Sequence, residues 1–344
     1  MKKILNWGLT LLGPAILVFF LLTNDIGAIW QVLKTTDPWL FGLSAVLVLP
    51  FLYTKGWRWR LILQGWDISI STWFASILYT LGIFVGSVTP GQGGDAVKAW
   101  YLRRAGHPLG PSLLSIVVDR FFDVAIMGII AGSGLYFYRA FLPGNVKLLI
   151  VLALVGVAVG IAFLASARLR TLLAERILPV VIPARLRALA RRAGLRDRVL
   201  TMSVGRIASL VLISFITLGW TFVRLYLLFL ATGVQVDIGP YMAMIAIVSL
   251  VSVVSVAGVG VRDLVMVLIM TSLAASGQMR ATDGSAFSPA QAEALALGIS
   301  TLFLILSVVN VLLGFLVSLR YPLSEALLSK GESEAEELLL EPHN

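Results

Sequence analysis

Two short stretches decide the fold: "SVTPGQGGD" at 87–95 and "SVAGVGVRD" at 255–263. Each follows a run of apolar residues long enough to enter a membrane, and each opens a stretch that favours helix. Non-helical backbone at membrane depth is tolerated only where it is buried in protein or lines a watered cavity. Two glycine-rich tips near mid-depth therefore predict a cavity between them.

The composition of the 344-residue chain is that of a polytopic membrane protein. It is 58% hydrophobic and 13% charged with a mean hydropathy of +0.93, whereas about a quarter of a soluble domain is charged. The absence of cysteine excludes disulfides and thiol nucleophiles, and two histidines argue against a histidine-based metal site. "GQGG" lacks the preceding strand and the following Lys-Ser or Lys-Thr of a nucleotide-binding loop. We therefore expect no cofactor, no metal and no catalytic residue.

Hydropathy predicts spanning helices, because a hydrocarbon core of about 30 Å needs about 20 apolar residues. The candidates are 5–23, 38–55, 110–138, 146–166, 206–231 and 291–319. Two further apolar stretches, 69–89 and 240–257, lead into the two motifs, and shorter helical runs follow them at 94–105 and 262–276.

The distribution of basic residues decides how these segments are threaded. If 69–89 were a full crossing, the loop at 168–198 with its nine arginines would lie outside. If 69–105 instead enters from the cytoplasm and returns, that loop falls inside together with Arg103 and Arg104. Lys55, Arg58 and Arg60 lie inside with either threading. We assign the loop to anionic cytoplasmic headgroups rather than to a nucleic acid.

The sequence thus predicts an all-α polytopic membrane protein with about six spanning helices and two re-entrant helix pairs. We expect it in the inner (cytoplasmic) membrane with both termini in the cytoplasm. The predicted order is an N-terminal helix and outer loop (1–37), a first unit (38–138) with a re-entrant pair at 69–105, a connecting helix and basic loop (139–202), a second unit (203–320) with a re-entrant pair at 240–276, and an acidic cytoplasmic tail (321–344).

The two units resemble each other. The motifs that start at Ser87 and Ser255 share Ser, Val and a terminal Asp, and "GWRWRLILQGWDIS" (56–69) aligns with gaps to "GWTFVRLYLLFLATGVQVDIG" (219–239). Since the first re-entrant pair enters from the cytoplasm and the second from outside, we predict an inverted-topology repeat, which in transporters places a site near the midplane. The alternative is that short Gly/Ser/Val strings recur by chance in apolar chains.

Charged residues within predicted spans are candidate site residues, because each costs about 2.5–3.5 kcal/mol to insert. Asp119 and Asp123 share a helix face, and Arg120 is spaced to pair with Asp123. Their alternative role is an ion pair that fixes helix packing. Arg224 lies toward the outer end of its own span, and its alternative role is to reach the outer headgroups.

Two helix N-termini and several cations favour an anion site. Free backbone N–H groups after each motif attract negative charge, and Arg120, Arg224 and Arg262 suit a phosphate. The alternative role of the glycines is close helix packing. The predicted substrate-binding residues are Pro90, Gly91, Gly93, Gly94, Asp95, Lys98, Asp119, Arg120, Asp123, Arg224, Gly258, Gly260, Arg262 and Asp263.

Two motifs resemble a known family. "TPGQGGDAVKAWYLRRAG" (89–106) followed by "LLSIVVDRFFDVAIMG" (113–128) resembles the signature of the lysylphosphatidylglycerol synthase transmembrane-region family of flippase-like membrane proteins. "AGVGVRD" (257–263) resembles its second motif, Gly-x-Gly-x-Arg-Glu, with Asp263 where Glu is common. The resemblance extends over about 38–319.

The resemblance implies a role in moving lipid. In the multiple peptide resistance factor, the similar membrane half is fused to an aminoacyl-transferase domain and is assigned the flipping of lysylphosphatidylglycerol. The present chain ends at Asn344, so we expect no synthase activity. The resemblance does not determine the substrate.

Two functional hypotheses follow. The first is a flippase that moves an anionic or glycosylated, phosphate-bearing lipid between leaflets by alternating access. The second is a non-transporting scaffold or accessory subunit that presents lipid to a glycosyltransferase or synthase. A membrane enzyme would depend on Asp119, Arg120 and Asp123 as its acid–base group. The expected partners are membrane lipids, and no nucleic acid.

Overall fold

The computed structural model describes residues 26–87, 94–138, 142, 144–165, 204–254 and 261–321. The first predicted span at 5–23, the basic loop at 168–198 and the tail beyond 321 lie outside the described residues. The tips of both glycine motifs do so as well, and with them the predicted site residues Pro90, Gly91, Gly93, Gly258 and Gly260.

The described residues are almost entirely helical. The helices are α1 (Ile26–Thr35), α2 (Pro38–Val46), α3 (Val48–Leu63), α4 (Thr72–Gly86), α5 (Val97–Arg104), α6 (Leu109–Tyr138), α7 (Gly144–Ala165), α8 (Val204–Ala231), α9 (Ile238–Val254), α10 (Val261–Ala275) and α11 (Pro289–Arg320). Two short strands, β1 (Val234–Val236) and β2 (Met279–Ala281), pair antiparallel.

Three helical stretches among the described residues are long and apolar enough to cross a membrane. They are Pro38–Trp66, Gly205–Ala231 and Pro289–Arg320, with 29, 27 and 32 residues. Local signals fix where two of them begin. The Asp37 side chain accepts the backbone N–H groups of Trp39 and Leu40 at the start of α2, and Ser288 and Gln291 form a capping box at the start of α11. The prediction of an all-α membrane protein is confirmed.

The first broken pair, α4 and α5, begins and ends at the same end of the molecule. The Phe74 ring at the start of α4 lies 6.4 Å from the Tyr321 ring. The Tyr101 hydroxyl near the end of α5 donates to the Tyr321 backbone carbonyl at 2.7 Å. Both helix ends therefore meet the last residues of α11.

The second broken pair, α9 and α10, begins and ends at the opposite end. Strand β1 leads into α9 and strand β2 follows α10, and Val236 pairs with Met279 between them. The Asp237 backbone N–H also donates to the Gln278 carbonyl at 3.1 Å. Since α11 starts just after β2 and runs for 32 residues, about 48 Å at 1.5 Å per residue, the two pairs open at opposite ends.

Helix α4 packs on α11, and α9 packs on α6. The rings of Phe84 in α4 and Phe315 in α11 lie 6.4 Å apart, and the Tyr138 hydroxyl at the end of α6 donates to the Pro240 carbonyl in α9 at 2.6 Å.

A glycine marks each of these crossings. Gly134 is as far along the sequence from the first residue of α6 as Gly314 is from the first residue of α11. A Cβ at Gly134 would overlap Ile247, and one at Gly314 would overlap Phe84. Glycine therefore allows both close crossings.

The two ends of the molecule differ in charge. The end at Tyr321, which we call the basic end, carries Arg60, Arg103, Arg104, Arg206 and Arg320 beside Asp67. The opposite end carries Asp37, Asp237, Asp283 and Glu293 beside Lys34, Lys147 and Arg280. Side chain and backbone contacts join Ser44 to Arg224 and Arg58 to Ser214, so α2 and α3 run antiparallel to α8.

Candidate functional site

Seven charged side chains gather where α3, α5 and α6 meet, with Tyr79 of α4 beside them. We call this group the charge cluster: Lys55, Arg58, Asp95, Lys98, Asp119, Arg120 and Asp123. Four cations face three carboxylates, so the cluster has one surplus formal positive charge. Asp123 lies near the middle of the 30-residue helix α6, which places the cluster about halfway along the length of that helix.

Arg58 and Asp119 form the buried centre of the cluster. Their side chains are 1% and 0% exposed, and the Arg58 Nη2 lies 2.7 Å from Asp119 Oδ1. The Arg58 Nε donates to the same oxygen at 2.8 Å, and the Tyr79 hydroxyl donates to Asp119 Oδ2 at 2.9 Å. Both carboxylate oxygens of Asp119 are thereby satisfied, which is the condition for a stable buried charge.

Asp123 connects this centre to open space. Its carboxylate accepts from Lys55 Nζ at 2.5 Å and lies 2.8 Å from Arg58 Nη1, and its side chain is 23% exposed. The predicted pairing of Arg120 with Asp123 is therefore wrong, because α3 brings two cations from another part of the chain. Lys55 and Arg58 do not reach cytoplasmic headgroups, since both are buried between helices.

A second group of charges ties α5 to α6. The Arg120 Nε donates to Asp95 Oδ2 at 2.7 Å, and Lys98 Nζ lies 3.3 Å from the other Asp95 oxygen. Lys98 is completely buried, and its ammonium group lies over the rings of Tyr79 at 4.0 Å and Trp59 at 5.1 Å. Aromatic faces stabilise a buried cation of this kind.

Gly94 is needed for packing at the start of this segment. A Cβ there would overlap the backbone of Val85 and Gly86 at the end of α4. Only glycine lets the returning chain approach α4 so closely. This geometry matches the helix-packing interpretation of that glycine.

A cavity of about 220 Å³ lies beside the charge cluster, between α3, α6, α8 and α9. Lys55, Arg58 and Asp123 line one side of it. The α8 wall contributes hydroxyl groups, and the remaining lining is largely apolar. These hydroxyls belong to Ser214, Thr217 and Thr221, joined by Ser249 of α9. The cavity thus offers charge and polar contacts among membrane-embedded helices.

Arg224 borders this cavity without entering the charge cluster. It is 7% exposed, its Nε donates to the Ser44 carbonyl at 3.1 Å, and its guanidinium lies 5.7 Å from the ring of Phe51, a cavity residue. Thr221, one turn earlier on α8, also lines the cavity. Among the residues that the structure describes, no carboxylate lies within ion-pair distance of Arg224. It is a buried cation held by a carbonyl and a ring.

Arg262 and Asp263 of the second motif form a separate polar group. Arg262 Nε donates to Asp263 Oδ1 at 3.1 Å, and Arg262 Nη2 donates to the Ser300 hydroxyl at 3.2 Å. The Ser300 hydroxyl also donates to Asp263. Within the described ranges, no ion pair joins this group to the charge cluster. The structure therefore brings together Asp95, Lys98, Asp119, Arg120 and Asp123, and keeps Arg262 and Asp263 apart from them.

Several site residues were missed from the sequence, although their spacing carried a signal. Lys55 and Arg58 are three residues apart and lie on one helix face. Three hydroxyl residues of α8 were missed, and with the predicted Arg224 they recur at intervals of three, four and three on a single helix face. They are Ser214, Thr217 and Thr221.

The described residues contain no group of three histidine, cysteine or acidic side chains placed to hold a metal. The three carboxylates of the charge cluster are engaged by cations instead. What the arrangement offers chemically is a partly hydroxylated cavity, lined on one side by the ion pairs of Lys55 and Arg58 with Asp123 and bordered by the buried cation Arg224.

Comparisons with known proteins agree with this membrane architecture. Residues 7–282 match the family model described as the lysylphosphatidylglycerol synthase TM region. A UPF0104 membrane protein from Methanothermobacter thermautotrophicus (strain ATCC 29096 / DSM 1053 / JCM 10044 / NBRC 100330 / Delta H) is 32% identical over 118 residues, which is 33% of this chain. The chain spans 34% of the length of that relative. No solved structure matches the chain.

The family match includes both glycine motifs and the whole charge cluster, and it ends before α11. It covers far more than half of the chain. This protein belongs to the lysylphosphatidylglycerol synthase transmembrane-region family.

Proposed function

We propose that this protein is a lipid flippase that moves a phosphate-bearing, anionic or glycosylated lipid between leaflets. The observation that carries the proposal is Arg224, a buried cation beside the cavity that no carboxylate among the described residues compensates. A charge held deep in a bilayer is costly unless a partner compensates it. A lipid phosphate supplies that negative charge, and arginine binds its oxygens with matched geometry.

The helix arrangement supports alternating access. The two broken pairs open at opposite ends of the molecule, and α2–α3 runs antiparallel to α8. These relations support two inverted units, 38–138 and 203–320, linked through 139–202 and flanked by 1–37 and 321–344. In transporters built this way, one unit moves against the other around a central site.

The charge of the two ends supports an orientation. Loops rich in lysine and arginine stay in the cytoplasm, so the basic end faces the cytoplasm and the first broken pair opens there. The described part of the chain begins at the end opposite the basic end and finishes at Tyr321 on the basic end. With the span expected at 5–23 crossing once before it, we infer a cytoplasmic membrane location with both termini in the cytoplasm.

The site residues divide into several roles. Arg224 attracts the phosphate, while Asp119 and Asp123 hold Arg58 and Lys55 beside the cavity. The ion pair between Asp95 and Arg120 joins the moving pair to α6. The tip residues Pro90, Gly91, Gly93, Gly258 and Gly260 would present backbone N–H groups to the headgroup, while Arg262 and Asp263 stabilise the second tip. All three cluster carboxylates neutralise cations, so we propose no catalytic role for them.

The test is a flipping assay in proteoliposomes that contain fluorescent phosphatidylglycerol. We expect the protein to bring fluorescent lipid from the inner leaflet to the outer leaflet, where an external quencher reaches it. We expect Arg224→Gln to lower the flipping rate about tenfold or more, because it removes a hydrogen bond to a charged group. Arg206→Gln is the matched control, since it removes the same charge from the same helix near its start. The control should flip lipid at the wild-type rate.

Lipid binding without flipping would instead identify a scaffold that presents lipid to a glycosyltransferase or synthase. Equal rates of lipid flipping in vesicles with and without the protein would refute the flippase proposal.

A further inference from the structure

A groove lies between α4 and α11 at the basic end of the molecule. It encloses about 410 Å³ and is separate from the cavity beside the charge cluster, because none of the described residues lines both. The first turns of α4 form one side of the groove, with Trp73 and Ile77. The last turns of α11 form the other side, with Leu313, Leu316 and Arg320.

The groove faces outward, toward the bilayer. Trp73 is 70% exposed and Leu316 is 60% exposed, although both side chains are large and apolar. Helix α11 is long and apolar enough to cross a membrane. The exposed apolar side chains of such a helix contact acyl chains, which are as apolar as leucine. The apolar part of the groove therefore suits a hydrocarbon chain.

Arg320 places a positive charge at one end of the groove. It is the last residue of α11, and an arginine at the end of a span lies among the lipid headgroups. Trp73 and Tyr321 line the groove beside it, and tryptophan and tyrosine are enriched at that depth. The Arg320 side chain is exposed, and no carboxylate of the described residues pairs with it. A guanidinium group of this kind binds phosphate oxygens with matched geometry.

The charge of the groove favours an anionic headgroup over a zwitterionic one. Among the described residues, Arg320 is the only charged residue that lines the groove. A second guanidinium lies at the same end, since Arg60 Nη1 donates to the hydroxyl of Thr72, next to Trp73, at 3.0 Å. An ammonium group would meet these cations without a carboxylate in the lining to pair with it, and like charges repel. A headgroup with net negative charge avoids this repulsion.

We propose that the groove between α4 and α11 is a second lipid site, which binds an anionic phospholipid of the leaflet at the basic end. Its phosphate contacts Arg320, and one acyl chain lies between the α4 and α11 side chains. The volume of about 410 Å³ falls within the roughly 300–1,000 Å³ of ligand pockets. Leu313 and Arg320 are seven residues apart, about 10 Å along α11, so the groove covers the part of the chain nearest the headgroup. This site does not depend on the proposed flippase function.

Native mass spectrometry of the purified full chain tests the site. The measurement uses Arg224→Gln, so that lipid held by Arg224 beside the cavity does not contribute, and equal amounts of phosphatidylglycerol and phosphatidylethanolamine with the same acyl chains. We expect phosphatidylglycerol to be retained in preference. Adding Arg320→Gln should lower its retention about fivefold, the effect of one arginine near an anionic lipid surface. Arg206→Gln is the matched control, because Arg206 lies at the same end and does not line the groove.

A second pair of variants tests the groove itself. Leu316→Glu places a carboxylate four residues before Arg320, where it can pair with the guanidinium and repel a phosphate. It should lower the retention of phosphatidylglycerol at least as much as Arg320→Gln does. Leu297→Glu is the control, since Leu297 is also exposed on α11, at 51%, and does not line the groove.

Equal retention of the two lipids would overturn the inference, as would equal losses in Arg206→Gln or Leu297→Glu. Displacement of the bound lipid by inorganic phosphate, as effectively as by phosphatidylglycerol, would overturn the lipid assignment. Retention of phosphatidylglycerol only after deletion of residues 322–344 would show that the acidic tail occupies the groove, and would also overturn it. A protein that retains the lipid as expected but does not flip lipid would refute only the proposed function.

Discussion

The long helices α6 and α11 pack in the same way but differ sharply in chemistry. Each receives another helix, α9 on α6 and α4 on α11, at a glycine the same distance from its first residue. Helix α6 carries Asp119, Arg120 and Asp123, whereas α11 has no charged residue between Glu293 and Arg320. The two helices therefore share a packing geometry without sharing a site. The charge cluster comes from residues 55–123, and the hydroxyl groups of the cavity come from α8 and α9.

The largest effect is expected where the first unit buries its charges. Asp119→Ala leaves Arg58 without its main partner and should lower the free energy of unfolding by about 3–5 kcal/mol. Ser300→Ala, at nearly the same position on α11, removes hydrogen bonds to Arg262 and Asp263 and should cost less, about 1.5–3 kcal/mol, because these two residues stay paired with each other. Unfolding curves in detergent measure both changes. Equal losses would show that the two helices do not differ as we describe.

A double variant separates the destabilisation caused by an unpaired buried Arg58 from the destabilisation caused by lost side-chain packing. Arg58→Met/Asp119→Leu removes both buried partners, and Lys55 still pairs with Asp123. We expect it to recover at least half of the stability that Asp119→Ala loses, because apolar residues often replace a buried ion pair without cost. A double variant less stable than Asp119→Ala would contradict this account of the cluster.

The shared packing geometry predicts matched losses from the two glycines. Gly134→Leu should clash with Ile247, and Gly314→Leu should clash with Phe84, each lowering the free energy of unfolding by about 1–3 kcal/mol. Gly156→Leu is the control, since nothing lies within 4 Å of a Cβ there. Thermal unfolding of the three variants provides the comparison. A large loss at only one of the first two positions would break the correspondence between the units.

The smallest effect should come from the second motif. Arg262 pairs with its neighbour Asp263 and with Ser300, outside the charge cluster. We expect Arg262→Gln to change the flipping rate by less than about threefold, while Arg120→Gln, which releases Asp95, reduces it by about tenfold or more. The proteoliposome assay compares the two arginines directly. A larger decrease in flipping rate for Arg262→Gln than for Arg120→Gln would indicate that the lipid site lies nearer the second glycine motif than the charge cluster.

The sequence predicted the helices and their ends better than it predicted the partners of each charge. Apolar runs and the helix-favouring stretches after the two motifs located helices α4, α5, α9 and α10. Hydropathy ended the second predicted span at Lys55, since a charge interrupts an apolar window. The helix in fact continues to Leu63 and carries Lys55 and Arg58 into the interior.

The prediction of ion-pair partners failed for a related reason. Helical spacing relates Arg120 only to neighbours on its own helix, such as Asp123. Its observed partner, Asp95, comes from the turn before α5, and Asp123 is taken by α3. Contacts between helices depend on how the helices are arranged, which spacing along one helix does not reveal.

Labelling of single cysteines tests the inverted arrangement most directly, because the native chain contains no cysteine. Ser69→Cys and Ala105→Cys flank the first broken pair, and Gln235→Cys and Ser276→Cys flank the second. A maleimide that cannot cross membranes, applied to intact cells and to inverted vesicles, reports the side of each position. We expect Ser69 and Ala105 to be labelled only in inverted vesicles, and Gln235 and Ser276 only in intact cells. Labelling of Ser69 and Ala105 from opposite sides would contradict the account, as would labelling of all four positions from one side.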